Sequence, residues 1–130
     1  MRLNPDCIRD ILLSVEESTE VNVLFVYDRG SRGGTRLGNY DHDVIRYHIR
    51  QCMWADLITG YNEWDCGSYI KIHDLSPAGH EFLANTRSSR LWESLKNSCD
   101  QAGVNSLSSL LQGAAKLAAS ALLSHITSGS

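Results

Sequence analysis

Apolar residues recur at helical spacing near the start of the chain. Cys7, Ile8, Ile11, Leu12 and Val15 stand three or four apart, one stripe of an amphipathic helix over residues 5–18. Asn4-Pro5 opens it: Asn is a good cap, and Pro at the first helical position lacks an N–H that is not needed there. A short β-branched and aromatic run, Val21 to Tyr27 (VNVLFVY), then predicts a strand. Residues 28–38, DRGSRGGTRLG, follow as a Gly-rich loop without regular structure. Helical spacing returns from Asp41 to Asp56, with Val44, Ile45, His48, Ile49, Cys52 and Ala55 inward and Arg46, Tyr47, Arg50, Gln51 and Met53 largely outward. Leu57 to Asn62 and Ser68 to His73 read as two strands joined through Glu63-Trp64-Asp65-Cys66-Gly67, a short hairpin loop with Gly near its end. Ser76-Pro77 starts a helix to about Arg87, and another runs from about 89 to 102, where Gly103 stops it. The last helix, Ser106 to Ile126, carries a broad apolar face with Lys116 as its one formal charge.

Helix, hairpin, helix over residues 41–83 is the order in which a winged helix ends. The predicted fold is therefore α+β: a winged-helix-like domain over residues 1–88, with a small antiparallel sheet packed on helices, extended by C-terminal helices over 89–130. A regular helix-turn-helix also needs a helix ahead of the recognition helix. Residues 20–39 read instead as strand plus loop, and the sequence does not say whether they contain that helix.

Composition narrows the function classes. With 130 residues, 42% of them apolar, the chain is long enough to bury a core. Its net charge of −3 excludes a protein that coats nucleic acid non-specifically, because phosphate neutralisation supplies that affinity. DNA binding would need a local patch. Cys7, Cys52, Cys66 and Cys99 are unevenly spaced with no CxxC, and MRLNPDCIRD has no apolar signal-peptide core, so the expectation is a cytoplasmic protein with free thiols.

The strongest candidate site is the helix at 41–56. Arg46, Arg50 and Gln51 are residue types that read base edges or hold phosphates in the major groove, and Tyr47 adds a phosphate or stacking contact. The competing reading is a solvated face, favoured by Asp41 and Asp43 at the helix start and by Glu63 and Asp65, which make the hairpin tip acidic. A second candidate is the loop at 28–38, at net +2 from Arg29, Arg32 and Arg36 against Asp28: a basic arm on the DNA backbone, or a mobile loop with no ligand. His48 and Cys52 stand at i, i+4, but none of the other histidines (His42, His73, His80, His125) supplies a second pair at ligand spacing, so no metal is expected. No GxSxG, HExxH or paired-carboxylate arrangement is present; the reading is non-enzymatic, with no cofactor. Trp54, Trp64 and Trp92 are expected to pack at layer edges rather than stack on bases, Trp64 at the hairpin tip being the one exception to test. The last helix would span about 31 Å, but its serines and Lys116 argue against crossing a membrane. Leu107, Leu110, Leu111, Ala114, Leu117, Ala118, Ala121 and Leu122 are expected to form an oligomerisation face, a dimer being favoured.

Leu3-Asn4-Pro5-Asp6-Cys7-Ile8-Arg9-Asp10-Ile11-Leu12-Leu13, Tyr47-His48-Ile49-Arg50, Asp74-Leu75-Ser76-Pro77 and Gly79-His80-Glu81-Phe82-Leu83, with Asn85, Arg87 and Trp92, resemble a family known as domain of unknown function 2513, common in phages and prophages. The resemblance brings no catalytic residues. It implies regulation or host–phage conflict within a bacterial cytoplasm. Ala55-Asp56-Leu57-Ile58 stands where the family usually has Ala-Gly-Leu-Ile, which changes the helix exit. The expected function is a phage- or prophage-type DNA-binding regulator; the alternative is a protein-interaction module that inhibits or adapts a host protein, such as a bacterial defence component.

Overall fold

The computed structural model describes residues 1–103 and 106–128. In chain order it contains α1 (Pro5–Ser18), β1 (Phe25–Asp28), two 3-10 turns (Arg29–Ser31 and Arg36–Asn39), α2 (His42–Trp54), β2 (Ile58–Thr59), β3 (Asn62–Trp64), β4 (Tyr69–Ile72), β5 (Asp74–Leu75), α3 (Pro77–Asn85), α4 (Ser89–Ala102) and α5 (Leu107–Ser128). The fold is α+β, as the spacing predicts. Two compact units divide within α3, the first being Met1–His80 and the second beginning at Glu81. The expected boundary was residue 88. The first turn of α3 belongs with the first unit, where Gly79 leaves no room for a Cβ against the Leu57 carbonyl. Its later part belongs with the second, where Phe82 meets Trp92 edge to face.

In the first unit, α1 and α2 pack together beneath a three-stranded antiparallel sheet of order β1-β4-β3. Cys7, Ile8, Ile11, Leu12 and Val15 of α1 and Ile45, Ile49 and Cys52 of α2 are fully buried, with Ile70 and Ile72 of β4 covering them. Asn4 caps α1 as its chemistry dictates: its side-chain oxygen accepts the Asp6 N–H at 3.0 Å.

Three local expectations are corrected. The first strand begins at Phe25, not Val21; Val21 is 99% exposed. Glu20 and Val23 exchange two backbone hydrogen bonds of 3.1 Å, closing a tight turn where a strand was expected. The Gly-rich segment is partly regular. Asp28 accepts the Gly30 N–H at 2.9 Å and caps the first 3-10 turn, while buried Leu37 anchors the second. The hairpin is two ladders rather than one. Ile58–Thr59 pairs with Asp74–Leu75, and Asn62–Trp64 pairs with Tyr69–Lys71, with a break at Gly60, whose φ is +68°. Glu63 and Trp64 therefore lie in β3. The tip is Asp65–Ser68, closed by the Ser68 N–H on the Asp65 carbonyl at 3.0 Å, with Cys66 and Gly67 at φ 52° and 84°, the signs of a type I′ turn.

No α-helix lies between β1 and α2. Only the two 3-10 turns occupy the place of the helix that a helix-turn-helix requires.

In the second unit, Ser88 caps α4, its hydroxyl accepting the Leu91 N–H at 3.3 Å. Gly103 ends α4 in the left-handed region at φ 68°. Against α4 packs α5, burying Leu107, Leu110 and Ala114. Among the described residues no helix is long and apolar enough to cross a membrane.

Candidate nucleic-acid interface

The side chains of α2 that face away from the core meet the hairpin. Glu63 stands opposite Ile70 in the β3–β4 ladder, and Ile70 is fully buried. Glu63 thus points to the inner side of the sheet, while Asn62 and Trp64 point outward, as strand alternation requires. Arg46 and Arg50, one helical turn apart, both reach it. The Arg46 Nη2 donates to Glu63 Oε1 at 2.7 Å and the Arg50 Nη2 to the same oxygen at 2.8 Å. Tyr61 donates its hydroxyl to Oε2. These donors, Arg46 first, hold the Glu63 carboxyl down at about 2. The side chains of Arg46, Arg50 and Glu63 are 30%, 37% and 19% exposed. Two guanidinium groups against one carboxylate leave the cluster at net +1. Gly67 completes it, since a Cβ there would run into the Arg46 guanidinium.

Glu63 was expected at an acidic hairpin tip, as a point in favour of a merely solvated helix face. Glu63 instead pairs with the arginines and orients them. Sequence reasoning placed Glu63 in a loop and missed its partner Tyr61. The legible signal was Tyr61 two residues before Glu63, after arginines at i, i+4.

The remaining predicted residues fall in different settings. Tyr47 and Gln51 are half-buried on α2, Tyr47 lying edge-on to His48 at 5.1 Å. Arg29 is exposed. Arg32 donates to the Tyr40 carbonyl at 3.3 Å and the Arg29 carbonyl at 2.9 Å. Arg36 pairs with Glu17 and, at 4.0 Å, with Asp10. Arg32 and Arg36 thus pin the 28–38 segment to its own backbone and to α1, where a free arm was one reading. At the start of α2, the Tyr27 hydroxyl and His42 Nδ1 are 2.7 Å apart with their rings stacked.

His48 and Cys52 are both fully buried. Since the Asn4 N–H can only donate, His48 Nε2 accepts it, at 2.8 Å. His48 Nδ1 must then carry the proton, donated to the Val44 carbonyl at 2.7 Å. Both ring nitrogens are occupied, and burial lowers the imidazole pKa. Burial also pushes the Cys7 thiol up to about 12 and raises that of Cys52, so both stay protonated. Among the described residues no group of three His, Cys, Asp or Glu side chains could hold a metal ion. His125 lies outside the residues with described side chains.

Of the tryptophans, Trp92 is buried, Trp54 is exposed at the end of α2, and Trp64 is 45% exposed and stacked on Tyr69 at 5.8 Å. The expected oligomerisation face divides. Leu107, Leu110 and Ala114 are buried within the chain and unavailable to a partner; Leu111, Leu117 and Ala118 are half-buried; Ala121 and Leu122 are exposed.

The family model described as hypothetical protein (DUF2513) matches residues 2–105. The chain belongs to this family. DUF2513 thus covers α1 to α4, including the whole of the Arg46–Arg50–Glu63 cluster. A Haemophilus influenzae (strain Rd) protein, named as uncharacterized, is 29% identical over 103 residues, covering 74% of this DUF2513 chain and 76% of its own length. No solved structure matches.

Proposed function

We propose that this protein is a non-enzymatic DNA-binding regulator of phage or prophage type, built on a winged-helix scaffold. The observation that carries the reading is the joining of α2 to the β3–β4 hairpin through Glu63. A helix, a strand, a second helix and a hairpin, with sheet order β1-β4-β3, supports a winged-helix reading, with two 3-10 turns in the place of the middle helix. In that scaffold the second long helix and the hairpin make one surface, and here the two arginines of the helix are held by the hairpin's own acid. A guanidinium has five N–H donors, and Glu63 takes only some of them. Arg46 and Arg50 therefore keep donors for phosphate oxygens in an orientation already fixed, which lowers the ordering cost of binding. Tyr47 and Gln51 on the same helix supply neutral contacts, and exposed Arg29 a further cation.

Binding to a duplex would place the protein in the cytoplasm of a bacterial host. The exposed end of α5, at Ala121 and Leu122, supports a homodimer that doubles the contacts. The test is binding to a fluorescent duplex at rising salt, with wild type, Arg46→Ala and Arg50→Ala. Affinity is expected to fall modestly with salt, as suits few phosphate contacts, and to drop about tenfold in each variant. No binding at low salt refutes the reading.

A second reading is favoured by the Trp64–Tyr69 stack. The two rings lie on the outer face of the hairpin, 45% and 36% exposed, and exposed aromatic pairs are the side chains that anchor protein interfaces. On this reading the same scaffold inhibits or adapts a host protein, such as a bacterial defence component, and the net charge of −3 suits that role.

A further inference from the structure

Tyr27, Ile70 and Glu63 stand side by side across β1, β4 and β3, on the inner side of the sheet. α2 meets both ends of this row with polar side chains. Arg46 and Arg50 hold Glu63 at one end. At the other, His42 stacks on Tyr27 with the ring planes 7° apart and Nδ1 2.7 Å from the hydroxyl. Tyr27 and His42 are 3% and 8% exposed. His42 lies one helical turn before Arg46, so the imidazole stands next to the arginines in their own row. Arg29 comes to the same place from β1. Its N–H donates to the Ser68 carbonyl at the hairpin tip, at 2.9 Å, and Arg46 crosses Gly67 of that tip. The charges that bear on the ring are Arg29 and Arg32 from the turn segment, and Asp43 and Arg46 from its own helix. Asp28, beside Tyr27, is turned to the Gly30 N–H and the Ser31 hydroxyl. From the hairpin, Glu63 is taken by Arg46 and Arg50, and Asp65 is exposed at the tip. Burial, and then Arg29, lower the imidazole pKa from 6.5.

We propose that His42 makes DNA binding proton-linked: when duplex phosphates occupy Arg29 and Arg46, the Tyr27–His42 pair takes up a proton from solvent, and the protein binds more tightly as pH falls. The inference rests on the reading of this surface as a DNA contact. A phosphate held by the arginines offsets their repulsion of a charged ring, so binding favours the imidazolium. By linkage, protonation then favours binding to the same extent. The hydrogen bonds permit the step. A neutral imidazole carries one N–H and a charged one carries two. Charged His42 donates from Nδ1 to the Tyr27 oxygen, which accepts as well as donates, so the pair survives the proton. His48, on the same helix, is the contrast. A second proton there meets the Asn4 N–H, donor against donor. Of these two buried histidines, His48 is closed to the proton by its partners and His42 is open to it.

The test uses the full chain and a mixed-sequence duplex. Calorimetric titrations at about pH 6, in two buffers of different ionisation enthalpy, count the protons taken up on binding. Wild type is expected to take up a measurable fraction of one proton, and its affinity to rise about threefold to tenfold from about pH 7.5 to about pH 5.5. His42→Gln keeps an acceptor for the Tyr27 hydroxyl and is expected to lose both the uptake and the rise. The second measurement needs no variant to fold: the His42 ring resonances of wild type, followed by NMR, are expected to titrate at a higher pH with duplex than without it. A duplex that binds with no proton uptake and an unmoved His42 midpoint overturns this inference and leaves the DNA reading standing. So does uptake that a folded His42→Gln retains, since another group then takes the proton. No binding at low salt overturns both.

Discussion

Glu63 and His48 hold α2 by different chemistry, and each ties stability to pH in its own window. Glu63 has a folded pKa near 2 against an ordinary 4.5. The unfolded chain binds the proton more readily, so this contribution is full above about pH 4.5 and is lost as pH falls towards 2. Glu63→Gln is expected to flatten that part of a urea-midpoint profile; an unchanged profile would show that Arg46 and Arg50 do not hold the carboxylate. His48 is buried neutral with its pKa lowered from 6.5. A proton on Nε2 would face the Asn4 N–H, donor against donor. Its contribution is full above pH 6.5 and declines as pH falls below it through the folded value. The His48 ring resonances in an NMR titration are expected to move only below pH 6.5, and a midpoint at or above 6.5 contradicts the hydrogen-bond assignment. Asp56 takes the left-handed conformation at φ 57°. Asp tolerates that region better than most residues, and its carbonyl accepts the Ser76 hydroxyl. Asp56→Gly is expected to be neutral or stabilising, and Asp56→Val to cost about 1–2 kcal/mol, both read by thermal melting.

At the scale of elements, the long helices were legible because each carries its period and its punctuation together. Asn4-Pro5 starts α1 where expected, and Gly103 stops α4 where expected. The strands were less legible. Their ends depend on partners distant in sequence: β1 begins where β4 can pair with it, at Phe25 opposite Ile72, and nothing local at Val21 reports that. The split of the hairpin into two ladders depends on Gly60, which lies inside the Leu57–Asn62 run that reads as one strand in sequence. The charge pattern was visible but its meaning was not. Glu63 reads as part of an acidic tip until the parity of β3 turns it inward to the arginines. In α5, burial separates two roles that the sequence merges into one apolar face. Leu110 is 2% exposed, so Leu110→Ala is expected to cost about 2–5 kcal/mol of stability. Leu122 is 59% exposed, so Leu122→Glu is expected to leave monomer stability within about 0.5 kcal/mol and to abolish any dimer seen by light scattering. Loss of folding in Leu122→Glu would show that this end of α5 is covered within the chain.

On the scale of the whole molecule, a net charge of −3 sits with a cationic cluster of Arg46, Arg50 and Glu63 on one surface. On the proposed function, this cluster is the place where DNA would be held, despite the acidic remainder. The protein would then bind through few phosphates, with a correspondingly modest salt dependence, since each neutralised phosphate adds about one unit to the slope of log affinity against log salt. Fluorescence anisotropy on a mixed-sequence duplex, from low to physiological salt, measures that slope directly. The expected result is a linear fall with a slope of roughly −2 to −4, reduced by about one in Arg46→Ala and in Arg50→Ala. No binding at low salt, or a slope that neither substitution changes, contradicts the account.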